Sequence, residues 1–267
     1  MTQISILGCG WLGLPLAKSL LQNGFSIKGS TTSLEKISLL ESESITPFLV
    51  RLEEQEISAS VADFLADSQI LIINFPPKLR GGSTENFVAK ITTLLPFIEN
   101  STVEKVLFVS STSVYGEDNE VVTEATVLNP DTEGGRQLAI VENVLQKNSR
   151  FQTTILRFGG LISDDRNPVR FLSGRENIEN PDAPINLIHQ NDCIGIIEKI
   201  IALNSWGETY NAVAPFHPTR QEYYTQKATE LNLALPKFAA SNIIVGKTIL
   251  NNKLIEALDY SFIKPTL

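Results

Sequence analysis

The sequence predicts an α/β fold, a doubly wound and mostly parallel sheet with a small carboxy-terminal cap. Three observations carry that prediction. Short apolar runs alternate with stretches of helical period from residue 3 to about residue 158. Several runs are apolar at consecutive positions, as in Ile70-Leu71-Ile72-Ile73 and Val106-Leu107-Phe108-Val109, which marks strands buried on both faces. The composition, 42% apolar and 19% charged over 267 residues, supplies a real core for one large or two small domains.

The elements follow in order. Gln3 to Leu7 is an apolar strand that stops at Gly8. Leu12, Leu16 and Leu20 then recur every fourth residue, one face of a helix that tolerates Pro15 in its first turn and ends at Gly24. Phe25 to Gly29 reads as a second strand, Leu34 to Leu40 as a helix, and Ile45 to Leu52 as a third strand. Ile57 to Leu65 is helical, and Gln69 to Phe75 is a strand closed by Pro76-Pro77. Ser83 is placed to cap a helix whose apolar face is Phe87, Ile91, Leu94, Leu95 and Ile98. Val103 to Ser110 is a strand, Leu138 to Leu145 a helix, and Thr153 to Phe158 another strand. Beyond residue 160 the rhythm weakens. Turn-rich segments at 164–168 and 180–184 precede a helix from about Asp192 to Leu203 and a strand at Thr209 to Val213. The expected division is a sheet domain over 1–160 that also receives 185–213, with 161–184 and 214–267 forming the cap.

Charge and rare residues narrow the functions. With 22 Lys plus Arg against 30 Asp plus Glu the net charge is −8, which argues against a nucleic-acid backbone as partner. No apolar stretch approaches the ~20 residues of a membrane span. No basic segment precedes Ile4-Ser5-Ile6-Leu7, so that run is not read as a leader. Cys9 and Cys193 are the only cysteines and His189 and His217 the only histidines, which leaves no disulfide framework and no Cys/His metal cage. A cytoplasmic protein with a small-molecule substrate is expected.

Gly8-Cys9-Gly10-Trp11-Leu12-Gly13 is a G-x-G-x-x-G between a strand and a helix. The first glycine allows the tight turn, the second lets a pyrophosphate approach the backbone, and the third lets helix and strand pack closely. The fold expected is therefore Rossmann-like, with Gly8, Gly10, Trp11, Leu12 and Gly13 holding a dinucleotide at the helix N-terminus. The second strand runs into Gly29-Ser30-Thr31-Thr32-Ser33 with no carboxylate before Glu35. An acidic residue there would favour the free ribose of NAD. Ser30, Thr31 and Thr32, with Lys36 nearby, instead suit a 2′-phosphate, so NADP is favoured over NAD, although no Arg lies in this stretch. Phe75 and Pro76 are expected to line the adenosine side.

Ser110-Ser111-Thr112-Ser113-Val114-Tyr115-Gly116 resembles the short-chain dehydrogenase/reductases, specifically the extended group of NAD-dependent epimerases and dehydratases. Leu156-Arg157-Phe158-Gly159-Gly160 and Ile188-His189-Gln190-Asn191-Asp192 extend the resemblance over most of the chain. It implies that Ser111 binds the reacting oxygen and that Ser110 and Gly159 border the cofactor. It also implies a Tyr-x-x-x-Lys pair on the next helix, yet aligning by Pro130 and Glu142 puts Gly134 and Leu138 there. The chain is thus similar to an atypical member, with Tyr115 as the substitute acid, Arg136 as an anchor for an anionic substrate, and His189 and Asp192 tying the cap to the cofactor domain. The resemblance implies an oxidoreductase or epimerase acting on a small or nucleotide-linked substrate, with a homodimer by analogy. The alternative is a non-catalytic NADP-binding sensor.

Overall fold

The computed structural model describes residues 1–77, 79, 85–118, 121–240 and 246–266. The first half winds as β1 (Gln3–Leu7), α1 (Gly13–Gln22), β2 (Ser26–Thr31), α2 (Ile37–Ser42), β3 (Thr46–Leu49), α3 (Val61–Leu65), β4 (Ile70–Ile73), α4 (Phe87–Glu99) and β5 (Lys105–Ser111). It continues through β6 (Val121–Val122), α5 (Glu133–Gln146) and β7 (Gln152–Phe158). Then come β8 (Gly160–Ile162), α6 (Val169–Leu172), β9 (Leu187–His189), α7 (Gln190–Ala202) and β10 (Thr209–Ala212). The last elements are α8 (Arg220–Glu230), β11 (Thr248–Ile249) and α9 (Asn252–Leu258).

Seven strands form one parallel sheet in the order β10-β7-β5-β4-β1-β2-β3. The order reverses direction between β1 and β4, which is where a doubly wound sheet opens a ligand crevice at its carboxyl edge. Two short parallel pairs, β6 with β11 and β8 with β9, lie outside it. Consecutive apolar residues in β4 serve two cores, as a strand with period two requires. Ile70 and Ile72 join Leu16, Leu20, Ile196 and Ile200 on one face, while Leu71 and Ile73 join Phe87, Ile91, Leu94 and Val141 on the other.

Local chemistry sets several boundaries. The strand expected through Leu52 ends at Leu49, because Leu52 bridges antiparallel to Ile57 and the Glu53 N–H donates to the Glu56 carbonyl. That small hairpin also delays the next helix from Ile57 to Val61. The Ser83 cap lies outside the described residues; α4 starts at Phe87, with Asn86 accepting the Ala89 N–H. Thr132 accepts the Gly135 N–H and starts α5 five residues before Leu138, tolerating two glycines in its first turn.

The expected cap boundary is not clean. Leu254, Leu258 and Tyr260 are buried in the same core as α1 and α7, so this part of 214–267 packs on the sheet rather than above it. Buried Asp192 holds the segment in place, accepting hydrogen bonds from the Tyr260 hydroxyl at 3.0 Å and from the N–H groups of Ile263 and Lys264 at 2.6 and 3.0 Å. Among the described residues no helix is long and apolar enough to cross a membrane.

Candidate functional site

The crevice begins at the bend between β1 and α1. Gly8 has φ +109°, a conformation that L side chains rarely adopt, and a Cβ there would stand 2.5 Å from the Asn74 carbonyl oxygen. A Cβ on Gly13 would fall 2.1 Å from the Gly8 oxygen, so helix and bend touch backbone to backbone. Gly10 is different: nothing lies within 4 Å of where its Cβ would be. Among the described residues the N–H groups of Gly10, Trp11 and Leu12 have no acceptor. Three unpaired donors at the positive end of a ten-residue helix, beside open space, make a cradle suited to a diphosphate.

Neighbouring groups hold the bend rigid. The Gly8 N–H donates to Ser30 Oγ at 2.8 Å, the Cys9 N–H to the Ser30 carbonyl at 2.9 Å, and Asn74 Nδ2 to the Gly8 carbonyl at 3.1 Å. The Cys9 thiol is buried, which pushes its pKa up to about 12 and keeps it neutral. Trp11 is braced from two sides. Its carbonyl accepts from Gln190 Nε2 at 2.6 Å, and the Arg166 guanidinium sits 4.9 Å from its ring centroid.

Other expected cofactor residues are more committed than the sequence suggests. Ser30 is buried and spends its oxygen on Gly8, and Thr31 Oγ1 accepts the Ser33 N–H at 3.1 Å; Thr32 is exposed. The Phe75 ring packs edge-on against Phe87 at 5.2 Å, turned toward α4, while Pro76 is exposed beside it. Gly159 lies at the end of β7 beneath Asn186 and Val213, where a Cβ would come within 2.5 Å of the Asn186 oxygen.

At the end of β5 the two serines diverge. Ser110 is buried and donates to Glu142 Oε1 at 2.5 Å, away from the crevice. Ser111 is half-buried and accepts the Ser113 N–H at 3.1 Å, and its own hydroxyl proton has no acceptor among the described residues. It can therefore donate to an oxygen of a bound molecule.

Tyr115 does not point into the crevice as expected. It is 1% exposed, and its hydroxyl donates to Asn211 Oδ1 at 2.8 Å and accepts from Arg157 Nη1 at 2.6 Å. Burial raises its pKa, with Arg157 opposing, so the phenol stays neutral and closed in. Arg157 in turn grips Glu142, with Nη2 to Oε2 at 2.6 Å and Nε to both oxygens at 3.1 Å. Burial works against the guanidinium charge, but the hydrogen bonds and charge of Glu142 outweigh it. This buried chain from Ser110 through Glu142, Arg157 and Tyr115 to Asn211 was not anticipated. Its one signal in the sequence is Arg157 between Leu156 and Phe158 at the apolar end of β7, since such a charge demands a partner.

Arg136 is likewise not in the crevice. It is exposed, its Nε bonds Glu133 Oε2 at 2.9 Å, and its Nη1 reaches the Asp131 carbonyl at 3.3 Å, all within its own helix turn. Gln137 and Arg136 hold the exposed Glu133 carboxyl below its usual range, which removes it as an acid. At the aligned tyrosine position, nothing lies within 4 Å of where a Gly134 Cβ would be, and Leu138 is buried. His189 and Asp192 do not pair. His189 Nδ1 caps α7 by accepting the Asn191 N–H at 3.2 Å, and Asp192 serves the 260–264 segment. Lys247, also missed, is buried with Nζ on the Tyr115 carbonyl at 2.7 Å and Glu117 Oε1 at 2.9 Å.

Comparison with known proteins agrees with this geometry. A family model described as NAD(P)H-binding matches residues 8–185. Protein YeeZ of Escherichia coli strain K12 is 33% identical over 267 residues, covering 99% of this chain and 97% of that protein. A functionally unknown conserved protein from Silicibacter pomeroyi superposes with a TM-score of 0.81 at 21% identity, covering 100% of this chain and 95% of its own. UDP-glucuronic acid 4-epimerase from Bacillus cereus, in complex with NAD, gives 0.79 at 17% identity, covering 98% and 91%. The glycine cradle, the sheet order and these matches together show that the chain belongs to the NAD(P)H-binding family, in a Rossmann-like fold shared with NAD-dependent epimerases and dehydratases.

Proposed function

We propose that the protein is an NADP-preferring oxidoreductase or epimerase acting on a small or nucleotide-linked substrate in the crevice over β1, β4 and β5. The observation that carries this reading is the open glycine bend with its three unpaired N–H donors. A nucleotide-linked substrate is favoured by the fold neighbours, among them MoeE5 in complex with UDP-glucuronic acid and NAD. When bound, the nicotinamide supplies a site that accepts or donates hydride.

The chain's own part in the chemistry falls to Ser111 and Gly134. Ser111 Oγ is oriented by the Ser113 N–H and offers its proton to the oxygen of the reacting carbon. The open position beside Gly134 admits water to take or return the remaining proton, the role first assigned to Tyr115. The two buried free cysteines suit a reducing cytoplasm.

The test is purified protein with NADPH and a panel of aldehydes, ketones and nucleotide sugars, followed by loss of reduced-nicotinamide absorbance. Turnover is expected, and Ser111→Ala should lower it by ~100-fold with cofactor affinity unchanged. Tight binding without turnover across the panel would favour the sensor reading instead.

A further inference from the structure

The stretch after β2 holds no arginine, but the fold brings one to it. β2 and β3 run parallel with Ser30 opposite Phe48 and Thr31 opposite Leu49. The pairing continues one residue further, because the Val50 N–H donates to the Thr31 carbonyl at 3.0 Å. The next residue is Arg51. It lies two positions beyond Leu49, so strand alternation sends its side chain from the face that carries Thr31, at the carboxyl edge of the sheet.

The backbone of Arg51 is fixed while its charge is left free. Its N–H donates to Ser58 Oγ at 2.7 Å and its carbonyl accepts the Ser58 N–H at 3.1 Å, closing the hairpin that Leu52 and Ile57 bridge. Ser60 Oγ ties the same turn to the Leu49 carbonyl at 2.7 Å. The guanidinium is exposed and makes no ion pair among the described residues, although Glu53 and Glu54 follow two and three positions later. Those carboxylates are turned toward α4: Glu53 pairs with Lys90 at 3.6 Å, and Glu54 Oε1 accepts the Asn86 N–H at 2.9 Å. In the stretch after β2, the hydroxyls of Ser30 and Thr31 are occupied by the turn, while Thr32 and Ser33 keep theirs unbonded among the described residues.

We propose that Arg51, with the Thr32 and Ser33 hydroxyls, binds the 2′-phosphate of NADP and is the residue that sets the preference for NADP over NAD. The inference rests on the reading of the glycine bend as the dinucleotide site. A planar guanidinium matches two oxygens of a phosphate dianion, whereas the free 2′-hydroxyl of NAD gives it nothing comparable. Because Arg51 is exposed and makes no ion pair among the described residues, its removal leaves the fold intact.

Calorimetric titration of NADPH and NADH into the wild type and Arg51→Ala tests the proposal without reference to turnover. The wild type is expected to bind NADPH more tightly. Arg51→Ala should weaken NADPH by about 10- to 100-fold, the equivalent of losing charge-assisted hydrogen bonds, with NADH unchanged. 2′-AMP should bind wild type but not Arg51→Ala. Equal NADPH affinity in wild type and Arg51→Ala, or a wild type that prefers NADH, overturns the role of Arg51 while leaving the glycine bend as the nucleotide site. Binding of neither cofactor by the wild type overturns the reading of the bend itself, and the proposal with it.

Discussion

Among the described residues, replacing Glu142 with Leu removes the one carboxylate paired with Arg157, whose side chain is 7% exposed against 2% for Glu142. The guanidinium would keep one hydrogen bond, to the Tyr115 hydroxyl, and the buried Ser110 hydroxyl would lose its acceptor. Breaking a buried ion pair from one side costs about 3–5 kcal/mol, because the remaining charge is stranded out of water. The stranded serine hydroxyl adds ~1 kcal/mol or more. Equilibrium urea denaturation of Glu142→Leu should therefore show a loss of roughly 4–6 kcal/mol with an unchanged slope. The double variant Glu142→Leu/Arg157→Met should recover at least ~2 kcal/mol of that, since two apolar residues strand no charge. A single variant within about 1 kcal/mol of wild type would refute the reasoning, as would a double variant no more stable than the single one.

Two further outcomes follow from the glycine bend. Gly10→Ala should melt close to wild type and lose cofactor binding in calorimetry, because its methyl meets no protein atom within 4 Å but projects into the proposed diphosphate cradle. Gly13→Ala should lose stability as well, since its methyl would lie 2.1 Å from the Gly8 carbonyl; similar melting temperatures for both variants would contradict this distinction. The Cys9 thiol, raised from 9.0 to about 12 by burial, should resist a thiol reagent at pH 8 until the protein unfolds. The same shift has a sign in stability. Below pH 9 the thiol is neutral in both states and contributes no pH dependence. As pH rises above 9 only the unfolded state releases the proton, so Cys9 makes stability fall, which a Cys9→Ala denaturation series against pH would isolate.

Sequence reading succeeded where the physics is local. The glycine bend is six consecutive residues whose spacing encodes its own geometry, and β4 advertises its double burial in four consecutive apolar residues. It failed where distant residues decide. Tyr115 reads as a substitute acid until the fold brings Arg157 and Asn211 to its hydroxyl from 42 and 96 positions away. Arg136 carries a charge that suits a substrate, but an acidic residue three positions earlier on its own helix claims it. The end of β3 was misplaced for a related reason. Leu52 is apolar enough to continue the strand, and only its bridge to Ile57 turns the chain.

Asp192 gives the molecule its cohesion. A carboxylate with 0% exposure has exchanged its water for donors on residues 260–264. Fraying of that segment would take the Tyr260, Ile263 and Lys264 donors from the first turn of α7 together. Peeling is therefore coupled to melting of the helical layer that shields β1, so sheet and cap are bound into one cooperative transition instead of unravelling in turn.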